Sequence, residues 1–318
     1  MTSRSSLVSG GRKPGARKLL LAAPRRAAVD LRPLLEAYAT REIAHSHWEC
    51  DAVPSSDELQ TRAEGFDAVF VVGAPGRAPR TVLDGPVLRL DGAAAIPVGW
   101  LPYVDSAALS RFARAAAYLH RQAGEISSIA LLSQRNGRYL RLADRLDELL
   151  RDTGDTFRWT ADALTPEDLI TALGSGLGCA IYVGHGRAVG WVGYYGLRAH
   201  HFAEFQGRPT GAILSLCCKT ASRRRVGLSF AEALPLQGVC GAVLAAVGAT
   251  LHTDNVRWAV RLSDALVAGA PDVGRLVCAA LPLGEKPVAD YRIIGDPLSP
   301  VLSSVSGARR AREVRTFS

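Results

Sequence analysis

Short apolar runs alternate with helical periodicities along most of the chain, a pattern that predicts an α/β fold. Residues 18–23, 66–72 and 86–90 are aliphatic or β-branched runs bounded by turn residues, and residues 30–40 repeat apolar positions at helical spacing. The longest amphipathic stretch, 106–122, carries Ala and Leu on one helical face and predicts a helix joining two subdomains. Beyond it, strand-like runs at 126–132, 179–183, 211–216, 242–247 and 291–294 are separated by helical patterns at 139–152, 166–173 and 255–268 and after Leu228. Runs that are apolar throughout indicate strands buried on both faces, in a mostly parallel sheet with helices on either side. The expected organisation has four parts. Residues 1–16 are Ser/Gly/Arg-rich and expected to be disordered. Residues 17–124 form a smaller α/β subdomain, 125–306 the main one, and 307–318 a basic tail. No internal repeat is visible.

The chemistry concentrates where two of these strands stop. Cys179-Ala180-Ile181-Tyr182-Val183 ends at Gly184-His185-Gly186, and Gly211-Ala212-Ile213-Leu214-Ser215-Leu216 ends at Cys217-Cys218. In open α/β sheets, functional groups collect just beyond the carboxyl ends of the strands. Two neighbouring strands would therefore deliver an imidazole and a thiol to one rim, as a cysteine nucleophile with a histidine proton-transfer partner requires. Either motif alone is more often structural, since a cysteine after a strand is usually a small core hydrophobe. Glycines beside the histidine let backbone N–H groups approach a reacting carbonyl. Adjacent strand residues point to opposite faces, so only one of Cys217 and Cys218 can meet His185.

Charge and cysteine usage narrow the classes. The formal net charge of +8 comes largely from arginine, with clusters at Arg223-Arg224-Arg225 and Arg309-Arg310-Ala311-Arg312. No zinc-finger spacing or RNP-like aromatic strand accompanies them, so solvated surface is the expectation and nucleic acid is not an expected partner. The six cysteines make no CxxC pair with metal-ligand spacing, which suits a reducing compartment. His45, His47 and Glu49 alternate onto one strand face; without a fourth ligand this reads as an exposed surface, and no metal is expected. The apolar run near the N-terminus is too short for a signal-peptide core, and no stretch is long enough to span a membrane. A cytoplasmic protein without membrane contact is expected.

Taken together, Val183-Gly184-His185-Gly186 with Trp191, and Leu216-Cys217-Cys218-Lys219-Thr220, resemble the gingipain-type cysteine peptidases of the caspase-like clan. The resemblance continues in Ser229-Phe230-Ala231-Glu232-Ala233-Leu234, in Gly241-Ala242-Val243 through Gly248-Ala249-Thr250, and in Ile294-Gly295-Asp296-Pro297. Upstream, Ile96-Pro97-Val98-Gly99-Trp100-Leu101-Pro102 is similar to a family segment in which arginine is usual where Trp100 stands here. CHAT peptidases of the same clan share the His-Gly and Cys signatures. The resemblance covers residues 90–302 and implies a caspase-like α/β sandwich in 125–306 and a cysteine endopeptidase with no cofactor.

The same resemblance implies residue roles. Cys218 takes the nucleophile's place, just before a short polar stretch, and Cys217 the preceding small-residue place. His185 would pass the proton, and the backbone N–H groups of Gly186 and Cys218 would hold the oxyanion. Trp191 would line the pocket for the residue before the scissile bond, or else pack in the core. A third, acidic catalytic member is left unassigned. Arginine-specific gingipains recognise substrate through an acidic residue in the loop after the subdomain's first strand. The loop here carries Arg135 and Arg138 and no carboxylate before Asp144. Cleavage after Arg or Lys is therefore not expected, and Arg135 and Arg138 become candidate contacts to an acidic substrate residue. The partners implied are a protein or peptide substrate and an activating protein or self-processing. Two other readings stand beside this one. The first is a caspase-like fold kept as a non-catalytic binding or scaffold module. The second, a Rossmann-like nucleotide enzyme, lacks the expected glycine fingerprint after 18–23.

Overall fold

Hydrophobicity sorts the strands into two parallel sets that run in opposite directions. The computed structural model describes residues 17–74, 76–89, 95–281 and 283–302. The segments 1–16 and 307–318, expected to be disordered and a basic tail, lie outside the described residues. The first strands are β1 (Arg17–Ala23), β2 (Ile43–Glu49), β3 (Ala68–Gly73), β4 (Val87–Leu88) and β5 (Ile96–Pro102). Next come β6 (Ser128–Ser133), β7 (Asp155–Thr160), β8 (Cys179–Val183), β9 (Gly186–Arg187) and β10 (Gly190–Trp191). The last are β11 (Thr210–Leu216), β12 (Cys240–Ala246) and β13 (Tyr291–Gly295). One sheet runs in the order β2-β1-β3-β5-β13-β12-β11-β8-β6-β7, with β4 antiparallel on β5 and β9–β10 as a separate hairpin. Every neighbouring pair along this order is parallel except β13 with β12. The antiparallel seam has a direct consequence: the carboxyl ends of the two sets emerge at opposite edges of the sheet.

The sheet crosses the boundary expected near residue 124. Strand β13, from the end of the chain, lies between β5 and β12 and joins the two sets edge to edge. Strands β3, β8, β11 and β12 are buried along their whole length, as apolar runs covered on both faces must be. Alternate residues feed two cores. Ala180, Tyr182 and Ile213 point into one, with the Arg32–Ala39, Ser106–Gln122 and Phe230–Leu236 helices. Cys179, Ile181 and Leu214 point into the other, with the Gly137–Leu150 and His252–Val267 helices. The result is the α/β sandwich that the pattern predicted.

Local chemistry accounts for the departures. The helix expected over 30–40 is two, Arg25–Asp30 and Arg32–Ala39, with Leu31 between them and a proline in the first turn of the second. Strand β7 was not expected, because as the outermost strand it buries no side chain fully. Strand β5 carries Pro97 and Pro102, residues that argue against a strand interior; both sit where the ladder tolerates them, on the short β4 pairing and at the strand's end. Edge strand β2 exposes His45, His47 and Glu49. Among the described residues no group of three or more His, Cys, Asp or Glu is placed to hold a metal, and no helix is long and apolar enough to cross a membrane.

Candidate active site

Strand order decides which loops meet. In the second set, β11 lies between β8 and β12, and β6 flanks β8 on the other side. Their carboxyl ends present, in that spatial order, Thr250 after β12, Cys218 after β11, His185 after β8 and the 134–139 turn after β6.

The backbone of His185 is fixed while its ring stays exposed. Its N–H donates to Gln134 Oε1 at 3.0 Å, and its carbonyl accepts from the Tyr182 hydroxyl at 3.0 Å and the Val192 N–H at 2.9 Å. The ring stands edge-on to Tyr139, with centroids 5.6 Å apart. Arg138 Nη2 lies 3.3 Å from His185 Nε2, and the Tyr139 hydroxyl 3.5 Å. A guanidinium only donates, so Nε2 is the accepting nitrogen here and Nδ1 is left to carry the ring proton.

The two cysteines diverge as strand geometry requires. Cys217 is fully buried, its Sγ 3.4 Å from Ser215 Oγ, and burial pushes its thiol up to about 12. Cys218 is partly exposed; Thr250 donates its N–H to the Cys218 Sγ at 3.4 Å, and Thr250 Oγ1 lies at 3.6 Å. Directly after it, Lys219 adopts φ +63°, a left-handed turn that takes the chain sharply away from β11. The histidine and cysteine loops abut at Gly186. A β-carbon there would lie 2.5 Å from Cys217 Sγ and 2.5 Å from the Cys218 carbonyl oxygen, so only glycine allows this approach. Cys218 opens onto a cavity of about 490 Å³ between the two loops, walled in part by Ala188, Val189 and Ala249.

A buried ionic clamp holds the cysteine loop. Glu232, fully buried, accepts from Arg223 Nε at 2.8 Å and Nη2 at 2.6 Å, and from Trp100 Nε1 at 3.2 Å. It also caps its own helix through the Ser229 N–H and hydroxyl, at 3.0 and 2.8 Å. Trp100, which stands where the resembling family has arginine, therefore meets a carboxylate already paired with Arg223.

None of the three candidate substrate contacts, Trp191, Arg138 and Arg135, lies in the described cavity wall. Trp191 does not line the cavity: it is 2% exposed, stacks on Tyr182 at 4.3 Å and donates its indole N–H to Ser215 Oγ at 2.8 Å. It is part of the floor beneath the cysteines, because β10 folds inward over β11. Arg138 lies against His185 and the Tyr139 ring, not along the cavity. Arg135 is exposed and also outside the cavity lining. Three further residues, not anticipated, complete the rim: Thr250, Tyr139 and His252. The His252 ring stands edge-on to Tyr139 at 5.4 Å. Burial, then the charges of Arg138 and His185, hold its pKa below the usual imidazole range. For Thr250 and His252 the signal was a third apolar strand ending at Gly248-Ala249-Thr250, next to the other two.

No family profile matches the chain, and no curated protein matches it by sequence. Solved structures do. The complex of Porphyromonas gingivalis RgpB pro- and mature domains superposes with a TM-score of 0.70 at 15% identity, covering 89% of this chain and 79% of that one. The Arg specific cysteine proteinase gingipain R superposes with a TM-score of 0.72 at 13% identity, covering 91% of this chain and 79% of that one. The mostly parallel α/β sheet described above is the caspase-like fold that gingipain R has.

Proposed function

We propose that the protein is a cysteine endopeptidase, with Cys218 as nucleophile and His185 as proton donor to the leaving group. The observation that supports this most is the seat of Gly186 against Cys217 and Cys218, which joins an exposed imidazole and a partly exposed thiol at one rim. In this reading the Cys218 thiol gives its proton to His185, the thiolate attacks the scissile carbonyl carbon, and the backbone N–H groups of Gly186 and Cys218 hold the developing oxyanion. His185 gives a proton to the departing amine as the C–N bond breaks. Water then hydrolyses the thioester, releasing the acid and restoring the thiol. The described cavity wall has no carboxylate to receive a cationic side chain, which supports cleavage after residues other than Arg or Lys. The RgpB structure pairs a mature domain with its pro-domain; by analogy, a protein segment controls access to this rim.

Alkylation with iodoacetamide near neutral pH, read by mass spectrometry, tests the roles. Cys218 reacts and Cys217, held as a thiol by burial, does not; His185→Ala slows the reaction at Cys218. Equal labelling of both cysteines, or a Cys218 rate indifferent to His185, contradicts the assignment.

A further inference from the structure

The cavity beside Cys218 has a feature that a generic peptidase cleft does not need. Its charged lining consists of Arg187 from the β9–β10 hairpin and Lys219, Arg224 and Arg225 from the cysteine loop. Among the described residues none of these four is in an ion pair with a carboxylate. Their neighbour Arg223 behaves in the opposite way, turned inward onto buried Glu232. One arginine of the run thus anchors the loop, and the next two are left facing the opening in which the thiol lies. Lys219 and Arg225 both hold left-handed φ angles, at +63° and +61°. These tight turns fold the loop back so that both ends of it reach the same cavity.

Four like charges around one opening repel each other, and that repulsion is relieved when an anion enters. Among natural peptide side chains, only Asp and Glu bring an anion. A carboxylate there would receive charge-assisted hydrogen bonds, bidentate ones from the guanidinium groups. A cationic side chain would meet repulsion with no partner, which excludes it. Ala188, Val189 and Ala249 provide apolar wall for the methylenes below the carboxylate.

We infer that this cavity is the specificity pocket for an acidic residue, Asp or Glu, immediately before the scissile bond. Arg187, Lys219, Arg224 and Arg225 are its recognition groups. The inference rests on the peptidase reading only in taking its ligand to be the side chain of a bound peptide.

Binding and cleavage are tested separately so that the two readings fail independently. Full-length Cys218→Ala protein is titrated with fluorescein-labelled peptide pools, randomised at every position but one. That position is held as Asp, Glu, Asn, Gln, Arg or phosphoserine, and binding is read by anisotropy. The expected result is that the Asp or Glu pool binds about tenfold or more tightly than its amide counterpart and than the Arg pool. The gap should narrow as salt rises and close when Arg224→Ala and Arg225→Ala are added, two exposed positions whose loss leaves the clamp on Arg223 in place. Equal binding of acid and amide pools, preference for Arg or for phosphoserine alone, or no binding of any pool overturns the acidic pocket. The same pools are incubated with the wild type. Charge-dependent binding with no cleavage would remove the peptidase reading and keep the pocket; cleavage after neutral residues without charge-dependent binding would do the reverse.

Discussion

Two strand ends in this molecule are written almost alike and end up opposite in character. β8 leads into Gly184-His185-Gly186 and β13 into Gly295-Asp296-Pro297: each is a buried strand followed by one ionisable residue between turn formers. His185 is exposed at the open carboxyl edge of the second parallel set. Asp296 lies at the carboxyl end of the strand that forms the seam and is fully buried. Its Oδ2 accepts from His120 Nε2 at 2.7 Å, its Oδ1 from the Tyr38 hydroxyl at 2.8 Å, and Arg41 approaches His120 Nδ1 at 3.1 Å. Tyr38 comes from a helix packed on β2, and His120 from a helix packed on β12 and β11. What lies over a strand end decides the role of the polar residue there. Where helices cover the strand end the residue holds the fold together; where the edge is open it is available for chemistry.

The comparison can be broken most forcefully at Asp296. Asp296→Ala strands the Tyr38 hydroxyl and the His120 N–H without their acceptor in a dry interior, and should cost about 3–5 kcal/mol of folding stability. His185→Ala should abolish cleavage and leave the thermal midpoint within the usual scatter of surface substitutions. Denaturant unfolding of both variants checks the pair; equal stability losses would erase the distinction. Next is Gly186→Ala. Its β-carbon would press on Cys217 Sγ and the backbone of Cys218, parting the loops by a fraction of an ångström, and should lower kcat/KM about 10²-fold. Unchanged turnover would mean the two loops need not touch.

The smallest effect sharpens the contrast between imidazoles. With its pKa lowered in the fold by burial and by the Arg138 and His185 charges, His252 takes up a proton less readily in the folded than in the unfolded chain. Its contribution is therefore intact above the usual histidine range, about pH 6.5, and is lost as pH falls through and below it. His252→Gln should raise the midpoint in acid and leave it unchanged near neutrality, as melting curves at the two pH values would register. A shift of equal size at both would assign His252 a packing role instead.

Burial explains how much of this was legible in the sequence. β8 and β11 could be placed because both faces are covered and their runs are apolar throughout, and the residues that ended them, His185 and Cys218, fell on one rim as expected. β7 was invisible because an outermost strand has no fully buried face to write. Trp191 could be read as pocket or as core since sequence gives proximity along the chain and not depth; the inward fold of β10 puts it under the cysteines. The cations of the cavity wall were missed for a related reason. Arg223-Arg224-Arg225 reads as one exposed run, and only the position of Glu232 on the next helix splits it into an inward anchor and two outward cations. Arg138, a candidate substrate contact, lies against the imidazole because β6 lies beside β8.

The central claim is that Cys218, not Cys217, forms the bond to substrate. Digestion of a peptide library by the wild type, Cys218→Ala and Cys217→Ala, with products read by mass spectrometry, addresses it directly. The account predicts cleavage by the wild type and by Cys217→Ala, and none by Cys218→Ala, with Asp or Glu before the cut. Cleavage that survives the loss of Cys218, or that disappears only with Cys217, would contradict it.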